Sequence, residues 1–320
     1  MSITINEREF MLEQKYRPGK LEECILPAVD KEIFKGLIQK KRIPHLILHS
    51  PSPGTGKTTI ARILASETDA EMLFVNGSDC KIDFVRGDLT RFASSKSMDG
   101  KHKIIIIDEF DRPGLVESQR HLRSFMEAYS KNCSIIMTAN NIEGIIAPLR
   151  SRARVIEFGR PTQDDKRSMM KEMIQRLMLI CSTEKINIDD PKVIAALVAK
   201  NFPDFRKTLN ELDRYSGNGS IDAGILSEVI NDRGSVDDVI KAIKSKDVKA
   251  LRQLTTKYSS DYPWFIEKLS DTLYPLVSNS SIIEMYEIIG ENNQYYGAAA
   301  SLDVHMMHML LRLVVTMDWK

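Results

Sequence analysis

Five short apolar runs divide the first half of the chain, and stretches with helical spacing separate them. The runs predict β-strands at residues 45–49, 72–76, 103–107, 134–138 and 154–158. Most of them are apolar without alternation, which is typical of strands that are covered on both faces. A short helix is expected before them, at about 31–41. Strands with helices between them predict an α/β fold whose parallel sheet is joined by right-handed crossovers.

After the last predicted strand, the pattern indicates helices alone. Capping signals predict helices that begin near Thr162 and Asp190, and a third helix is expected from Asp204 to about Tyr215. The first signal is a capping box, because Asp165 follows Thr162 at the required spacing. A loop is expected at 216–220, and residues 161–230 are interpreted as a small helical lid.

Residues 231–320 carry a further helical pattern but no chemical motif. Breaks between helices are expected near Pro263, Pro275 and Gly290. His305 and His308 lie one turn apart among methionines, where a helix face in a core or interface is favoured over a metal site. We interpret this region as a packing or oligomerisation domain.

The composition fits a globular protein of two or three domains, with 42% hydrophobic and 28% charged residues. Because Lys and Arg number 45 against 44 Asp and Glu, any nucleic-acid contact requires a local basic patch. The 4 cysteines are widely spaced, which argues against a zinc site or a disulfide framework. Neither a signal sequence nor a membrane span is recognised, so a cytosolic location is expected.

The stretch 50–59, Ser-Pro-Ser-Pro-Gly-Thr-Gly-Lys-Thr-Thr, has the pattern of a phosphate-binding loop. Gly54 and Gly56 allow a tight turn that directs backbone N–H groups at an anion, next to the positive end of the following helix. Lys57 can reach the outer phosphates, and the hydroxyl of Thr58 can bind Mg²⁺. The chain is therefore predicted to bind a nucleotide.

A second chemical motif ends the third predicted strand, where Asp108 and Glu109 follow four isoleucines. We expect Asp108 to hold the Mg²⁺ together with Thr58. Glu109 can orient or deprotonate a water that attacks the γ-phosphate. Hydrolysis is therefore favoured over simple nucleotide binding.

Two later residues are ambiguous from chemistry alone. Asn140 follows the fourth strand, where its amide could bind the attacking water or the γ-phosphate, or could simply form a turn. Arg152 precedes the last strand, where it either reaches a phosphate or lies in solvent. A position near the domain edge suggests the nucleotide of a neighbouring subunit.

Several short motifs occur together in the order seen in sliding-clamp-loader ATPase subunits of the AAA+ class. They are Tyr16-Arg17-Pro18, Pro53 to Thr59, Asn76 to Asp79, Asp108-Glu109, Gln119 with Arg123 and Glu127, Ser151-Arg152, and Asp204 to Arg206 with Asn210. The chain resembles this family, and in particular its members from T4-like bacteriophages, essentially from end to end. The departures from the family pattern remove no charged or phosphate-contacting group; they are Pro51, Phe110, Asp111, Ala153 and Pro203.

The resemblance implies roles for individual residues. It implies an adenine pocket lined by Glu13, Gln14, Lys15, Tyr16 and Ile25. The phosphate loop contributes Pro53, Gly54, Thr55, Gly56, Lys57, Thr58 and Thr59. Asn140 becomes the first sensor, Arg206 the second sensor on the lid, and Arg152 an arginine finger that acts in trans. Gln119 and Arg123 would couple DNA, nucleotide and neighbouring subunit.

DNA contacts are expected on one basic face. The candidates are Lys81, Arg86, Arg91 and Arg112. Each of them would be a solvated surface charge in isolation. In a spiral of subunits, repeated copies of one basic helix start could follow a phosphate backbone without reading its sequence.

The resemblance also implies an architecture and partners. It implies an AAA+ nucleotide-binding domain at 1–160, the lid at 161–230 and an all-α collar at 231–320, with ATP and Mg²⁺ as cofactors. Expected partners are further copies of the chain, one unlike small subunit, a sliding clamp and primer–template DNA. The alternatives are a helicase loader or branch-migration motor, and a nucleotide-sensing scaffold that does not hydrolyse ATP.

Overall fold

A computed structural model describes residues 3–95, 97, 100–158, 161–217, 219–221, 236–259 and 262–320. The chain divides into two compact units, Met1–Leu226 and Ser227–Lys320. The predicted boundary at 230/231 lies outside the described residues. In the part of the chain described, no helix has both the length and the apolar character needed to cross a membrane.

A parallel sheet of five strands lies at the centre of the first unit, as the sequence predicts. The strands are β1 (Leu46–His49), β2 (Glu71–Asn76), β3 (Lys103–Asp108), β4 (Cys133–Ala139) and β5 (Arg154–Glu157). Their order across the sheet is β2-β3-β4-β1-β5, and each neighbouring pair is parallel. All five predicted strands are confirmed, with ends that differ by one residue at most. The order places the ends of β1 and β3 on either side of β4.

The uniformly apolar strands are explained by two cores, one on each face of the sheet. Ile105 and Ile107 of β3 belong to one core, and Ile104 and Ile106 belong to the other. All four are completely buried. A strand covered on both faces therefore needs no polar position between Lys103, where it begins, and Asp108, where it ends.

The helices of the α/β part connect and cover these strands. They are α1 (Leu12–Lys15), α2 (Ala28–Gln39), α3 (Lys57–Glu67), α4 (Ile82–Phe84), α5 (Thr90–Ser94), α6 (Val116–Tyr129) and α7 (Ala147–Arg150), with a π-helical turn at Val85–Leu89. Helix α2 begins three residues earlier than predicted, directly after Pro27. The helix predicted at 31–41 is therefore present, but it begins three residues earlier and ends two residues earlier than expected.

Three further helices complete the described part of the first unit. They are α8 (Gln163–Thr183), α9 (Lys192–Asn201) and α10 (Phe205–Tyr215). The capping box of Thr162 and Asp165 is present, and the carboxylate of Asp204 accepts from the backbone N–H of Lys207 at 2.9 Å. The expected loop at 216–220 is partly wrong, because Ser220–Ile221 pairs in parallel with Asn187–Ile188 as a two-stranded ribbon.

The described part of the second unit is helical, as predicted. Its helices are α11 (Asp237–Lys244), α12 (Val248–Tyr258), α13 (Tyr262–Leu273), α14 (Asn279–Gln294) and α15 (Leu302–Thr316). Helix α12 ends at Tyr258 and α13 begins at Tyr262, beside Pro263, while α13 ends at Leu273, two residues before Pro275. The break predicted at Gly290 is wrong, because α14 continues through it while Ile288 and Ile289 stay buried. The burial of neighbouring side chains outweighs the cost of about 1 kcal/mol for one helical glycine.

The two histidines of α15 do not form a metal cluster in the described structure. His305 places Nε2 2.9 Å from the carbonyl oxygen of Asn292, and the side chain of His308 is exposed. No group of three or more His, Cys, Asp or Glu side chains suited to a metal occurs among the residues described. Met306 and Met309 are fully buried, so this face of α15 packs in a core.

Candidate active site

The phosphate loop joins β1 to α3, and two glycines give it its shape. Gly54 and Gly56 have φ angles of +67° and +94°, in the left-handed region that favours glycine. A Cβ at Gly54 would also lie 1.8 Å from the Oδ1 atom of Asp204, at the start of lid helix α10. Glycine at this position thus allows the lid to pack directly against the loop.

Lys57 opens α3 and is 8% exposed. Its Nζ donates to the carbonyl oxygens of Ser50 at 3.1 Å and Ser52 at 3.0 Å. Burial lowers the pKa of Lys57, while the carboxylates of Asp111 and Asp108 act to raise it. The loop therefore holds a buried ammonium group whose hydrogen-bond partners are neutral carbonyls, which favours an anionic ligand.

Asp108 joins the two sides of the site. Its Oδ1 accepts from the hydroxyl of Thr58 at 2.6 Å and from the hydroxyl of Thr138 at 2.7 Å. A hydroxyl and a carboxylate in contact fit Mg²⁺, which prefers oxygen ligands and takes few from the protein when phosphates supply the rest. The structure thus brings together the two residues predicted as metal ligands. We call Thr58, Asp108, Glu109 and Thr138 the acidic edge.

Glu109 turns the chain sharply after β3. It has a φ of +55°, which is unusual for a residue other than glycine. Its backbone N–H donates to the hydroxyl of Thr138 at 2.8 Å, which holds this conformation. The carboxylate of Glu109 pairs with Arg112, so Arg112, predicted as a DNA contact, lies next to the predicted catalytic acid.

The first-sensor candidate is held by its backbone. Oδ2 of Asp111 accepts from the N–H groups of Asn140 at 2.9 Å and Asn141 at 2.7 Å. The residue Asn140 is exposed, and its amide has no hydrogen bond within the described part of the chain. Asp111 thereby fixes the turn after β4 and leaves that amide available.

A cavity of about 1030 Å³, including its open mouth, lies between the phosphate loop, the N-terminal segment and the lid. Four of the residues predicted for an adenine pocket line it, namely Glu13, Gln14, Tyr16 and Ile25. Lys15 is not among the lining residues, because its Nζ turns to Glu184 of the lid at 2.5 Å. We call the cavity-facing part of residues 13–25 the N-terminal wall.

Lid residues hold the N-terminal wall in place. The Tyr16 hydroxyl donates to Glu184, and burial, together with this carboxylate, raises the pKa of Tyr16. Arg176 of α8, only 4% exposed, donates to the carbonyl oxygens of Glu23 at 2.5 Å and Tyr16 at 2.9 Å. Sequence reasoning missed Arg176, although a charged residue three positions after Met173 falls on the buried stripe of α8.

Arg206, the second-sensor candidate, also lines the cavity. Its Nε lies 3.8 Å from Oε2 of Glu13, and the Asn210 amide donates to the same oxygen at 3.1 Å. The start of α10 therefore contacts both the N-terminal wall and the phosphate loop.

Gln119 is fully buried and links three segments. Its amide nitrogen donates to the carbonyl oxygens of Phe110 and Gly144, each at 2.9 Å, and its oxygen accepts from the N–H of Ile146 at 2.8 Å. It thus joins the turn after the acidic edge to the segment that leads into α7. Arg123, the other coupling candidate, is exposed and is not joined to it.

Arg152 follows α7 and does not line the cavity of its own chain. Its Nε donates to Glu127 of α6 at 2.7 Å, and its Nη1 donates to the carbonyl oxygen of Pro148 at 3.0 Å. The guanidinium group is therefore held at the surface.

The other DNA candidates are exposed around α4 and α5. Lys81 directly precedes α4, Arg86 contacts Nε2 of His121 at 3.1 Å, and Arg91 lies 3.5 Å from Asp88. All three side chains are exposed, as is that of Arg112, which pairs with Glu109.

Comparison with known families gives three matches. Residues 165–227 match the sliding-clamp-loader large subunit, AAA+ ATPase lid domain, and residues 261–318 match the C-terminal domain of the same subunit. Residues 47–160 match the ATPase family associated with various cellular activities (AAA).

Similar proteins extend the match to nearly the whole chain. The sliding-clamp-loader large subunit of Enterobacteria phage T4 is 64% identical over 318 residues, which cover 99% of this chain and 100% of that protein. The same subunit of Escherichia phage RB69 is 64% identical over 319 residues, with the same coverage of both chains. The replication factor C small subunit of Archaeoglobus fulgidus is 35% identical over 65% of this chain and 64% of that protein.

Among solved structures, RuvB of Thermotoga maritima, titled a Holliday junction branch migration motor, has a TM-score of 0.51 at 19% identity. It covers 72% of this chain and 80% of that one. At this identity the likeness concerns the fold alone. Because the similarity to two large subunits spans essentially the whole sequence, the chain belongs to the family of sliding-clamp-loader large subunits, which are AAA+ ATPases.

Proposed function

We propose that this chain is the ATPase subunit of a DNA-polymerase clamp loader and that its cavity binds ATP with Mg²⁺. The observation that carries the proposal is the contact between the Thr58 hydroxyl and the Asp108 carboxylate, which lie 2.6 Å apart beside the buried Lys57. These residues come from different elements, α3 and β3, and their convergence on one point has the chemistry of a nucleotide–metal site.

Each group has a role in hydrolysis. The loop N–H groups and Lys57 would bind the phosphates, and Thr58 and Asp108 would hold Mg²⁺, which neutralises charge on the phosphate oxygens. Glu109 would orient the attacking water and accept its proton. Because the same carboxylate pairs with Arg112, the arginine and the water compete for it.

The site is incomplete within one chain. Arg152 does not line its own cavity, and we propose that it reaches the nucleotide of a neighbouring copy as an arginine finger. Asn140 and Arg206 would act as sensors on the nucleotide's own chain, with Gln119 and Arg123 coupling the site to its surroundings.

The partners follow from this role. We propose a spiral of several copies with one unlike small subunit, which grips and opens a sliding clamp when ATP is bound. Primer–template DNA, contacted by Lys81, Arg86, Arg91 and Arg112, would stimulate hydrolysis and release the clamp. The phage origin of the similar proteins supports action in the host cytoplasm.

The proposed domains are the AAA+ domain at 1–160, the lid at 161–230 and the collar at 231–320. The three matched ranges, 47–160, 165–227 and 261–318, support this division. The alternatives are not favoured, because the relatives that span the chain are clamp-loader subunits and the likeness to a branch-migration motor is one of fold. A scaffold without hydrolysis would need neither Glu109 nor Arg152.

Glu109→Gln tests the proposal most simply. The amide keeps the shape of the side chain but cannot accept a proton, so ATP hydrolysis by the assembled protein should fall by about 10²-fold or more. ATP affinity should stay within about twofold. The matched control is Glu117→Gln, an exposed acid in the next helix with an arginine partner, which should leave turnover unchanged. Normal turnover by Glu109→Gln would contradict the proposed role.

A further inference from the structure

Arg17 lies where the N-terminal wall meets the phosphate loop. Its Nε donates to the hydroxyl of Thr59, in the first turn of α3, at 3.1 Å. It also lines the cavity, together with Gly54 and Gly56 of the loop and Arg206 of the lid. One guanidinium group is thus anchored to the helix that begins at the phosphate loop.

The remaining nitrogens of Arg17 are open to a ligand. The residue is half-buried, and within the described part of the chain its Nη1 and Nη2 atoms make no hydrogen bond. The contact through Nε anchors the guanidinium group to α3 and leaves the two Nη groups as a two-pronged donor edge. Such an edge matches the spacing of two oxygens on a phosphate group.

Charges around Arg17 favour an anion. Burial lowers its pKa, and the nearby cations Arg62 and Arg206 lower it further, while Asp108 and Glu13 act to raise it. Arg206 lines the same cavity, and the buried Lys57 lies two residues before Thr59, the hydrogen-bond partner of Arg17. Several cations facing one cavity destabilise each other unless a strongly negative group lies between them.

We infer that Arg17 is a direct ligand of the nucleotide's inner phosphates, the α- and β-phosphates. This inference rests on the proposed function, because it takes the cavity to be an ATP site. Arg17 follows Tyr16 of the adenine side and touches Thr59, two residues beyond Lys57. In phosphate loops the lysine reaches the β- and γ-phosphates, and the loop N–H groups cradle the α- and β-phosphates. Arg17 therefore approaches from the base side and meets the inner phosphates.

This position separates Arg17 from the second-sensor candidate. A ligand of the inner phosphates contributes equally to the binding of ADP and ATP. A ligand of the γ-phosphate, the role proposed for Arg206, contributes to ATP alone. Neither contributes to the binding of adenosine.

The test measures the affinities of the purified full-length chain for ADP, ATPγS and adenosine in the presence of Mg²⁺, by calorimetry and competition. For Arg17→Gln, the ADP and ATPγS affinities should both fall by about ten- to a hundredfold, as for a charge-assisted hydrogen bond. The adenosine affinity should stay within about twofold. Arg17→Lys keeps the positive charge but loses the two-pronged guanidinium. Its ADP and ATPγS affinities should lie between those of Arg17→Gln and those of the wild type.

Lys20→Gln is the matched control, because it removes an exposed positive charge from the same segment. All three of its affinities should stay within about twofold. Thermal unfolding without nucleotide checks that the variants fold. If Arg17→Gln does not fold, the ADP, ATPγS and adenosine affinities are compared between Arg17→Lys and the wild type. An equal loss for adenosine would identify Arg17 as a purely structural tether and overturn the inference.

Two other results would also overturn it. They are ADP and ATPγS affinities within about twofold of the wild type, and a loss confined to ATPγS. The proposed function would survive both, because the wild-type chain would still bind ATPγS tightly. Failure of the wild-type chain to bind any nucleotide would instead refute the proposed function, and the inference with it.

Discussion

The acidic edge and the N-terminal wall both contact the first turn of helix α3, but they are held in different ways. At the acidic edge, Asp108 is fixed by hydroxyls from α3 and β4, on elements that belong to the central sheet region. At the N-terminal wall, Tyr16 and Glu23 are held by Arg176 and Glu184 of the lid. The sheet therefore positions the chemistry, while the lid positions the surface proposed to bind the base. A change at the edge should lower turnover, and a change at the wall should first lower nucleotide affinity and stability.

Arg152→Ala tests whether the acidic edge is complete without a second copy, and we expect the largest effect here. Turnover by the assembled, DNA-bound protein should fall by about 10³-fold or more, the magnitude typical of arginine fingers. ATP affinity should remain nearly unchanged, because the residue does not line its own cavity. Arg154→Gln, an exposed arginine two residues away, serves as control. Unchanged turnover would refute the trans role.

Arg176→Gln should weaken the N-terminal wall and leave the acidic edge intact. Two buried carbonyl oxygens lose a charged donor, so the free energy of unfolding should fall by about 2–4 kcal/mol. ADP affinity should fall by about tenfold, and turnover at saturating ATP should change by less than about threefold. Denaturant unfolding and titration measure these quantities.

Arg167→Gln is the control for Arg176→Gln, because its guanidinium lies on the same helix with an 84% exposed side chain. It should change the free energy of unfolding by less than about 0.5 kcal/mol. If Arg176→Gln lowered turnover at saturating ATP as much as Glu109→Gln does, the proposed difference between the N-terminal wall and the acidic edge would be refuted.

Tyr16→Phe should produce the smallest effect, and its distinguishing signature is a change in how stability depends on pH above pH 9. The folded state raises the pKa of Tyr16 above its ordinary value of 10.0, so the neutral hydroxyl is favoured. The resulting stability is complete below about pH 10 and is lost as the pH rises toward the folded pKa. The wild type should therefore lose about 1 kcal/mol more than Tyr16→Phe between pH 9 and 11. Tyr274→Phe, at an exposed tyrosine, should lose as much free energy of unfolding between pH 9 and 11 as the wild type does. If the free energy of unfolding of the wild type and of Tyr16→Phe depended on pH in the same way, the raised pKa of Tyr16 would be contradicted.

The two regions also differ in how far the sequence predicts them. The phosphate loop and the acidic strand end are local patterns, and the ends of parallel strands must meet at one edge, so the contact between Thr58 and Asp108 follows from topology. The bond from Arg176 to Glu23 joins residues 153 positions apart and leaves no local signal beyond a charge on a buried stripe. The pairing of Glu109 with Arg112 follows a left-handed backbone conformation at Glu109. Glutamate rarely adopts this conformation, so the sequence does not predict it.

Other errors have equally local causes. The pattern predicts a helix break at Gly290, but α14 continues through it because Ile288, Ile289 and Asn292 are buried. The motif places Lys15 in the adenine pocket, whereas its partner Glu184 directly follows the distant helix α8. Hydrophobic periodicity predicts which helices and strands form. Polar contacts between residues far apart in the sequence depend on how those elements pack, which periodicity does not predict.

The central claim is that one catalytic site is divided between two copies of the chain, and mixing two inactive variants tests it most directly. Glu109→Gln retains Arg152, and Arg152→Ala retains Glu109, so an interface between the two variants can contain one intact site. ATP turnover should be measured for each variant and for their mixture, with clamp, small subunit and primer–template DNA present. The account predicts that the mixture recovers turnover well above either variant alone. Turnover in the mixture no higher than the average of the two variants would contradict it.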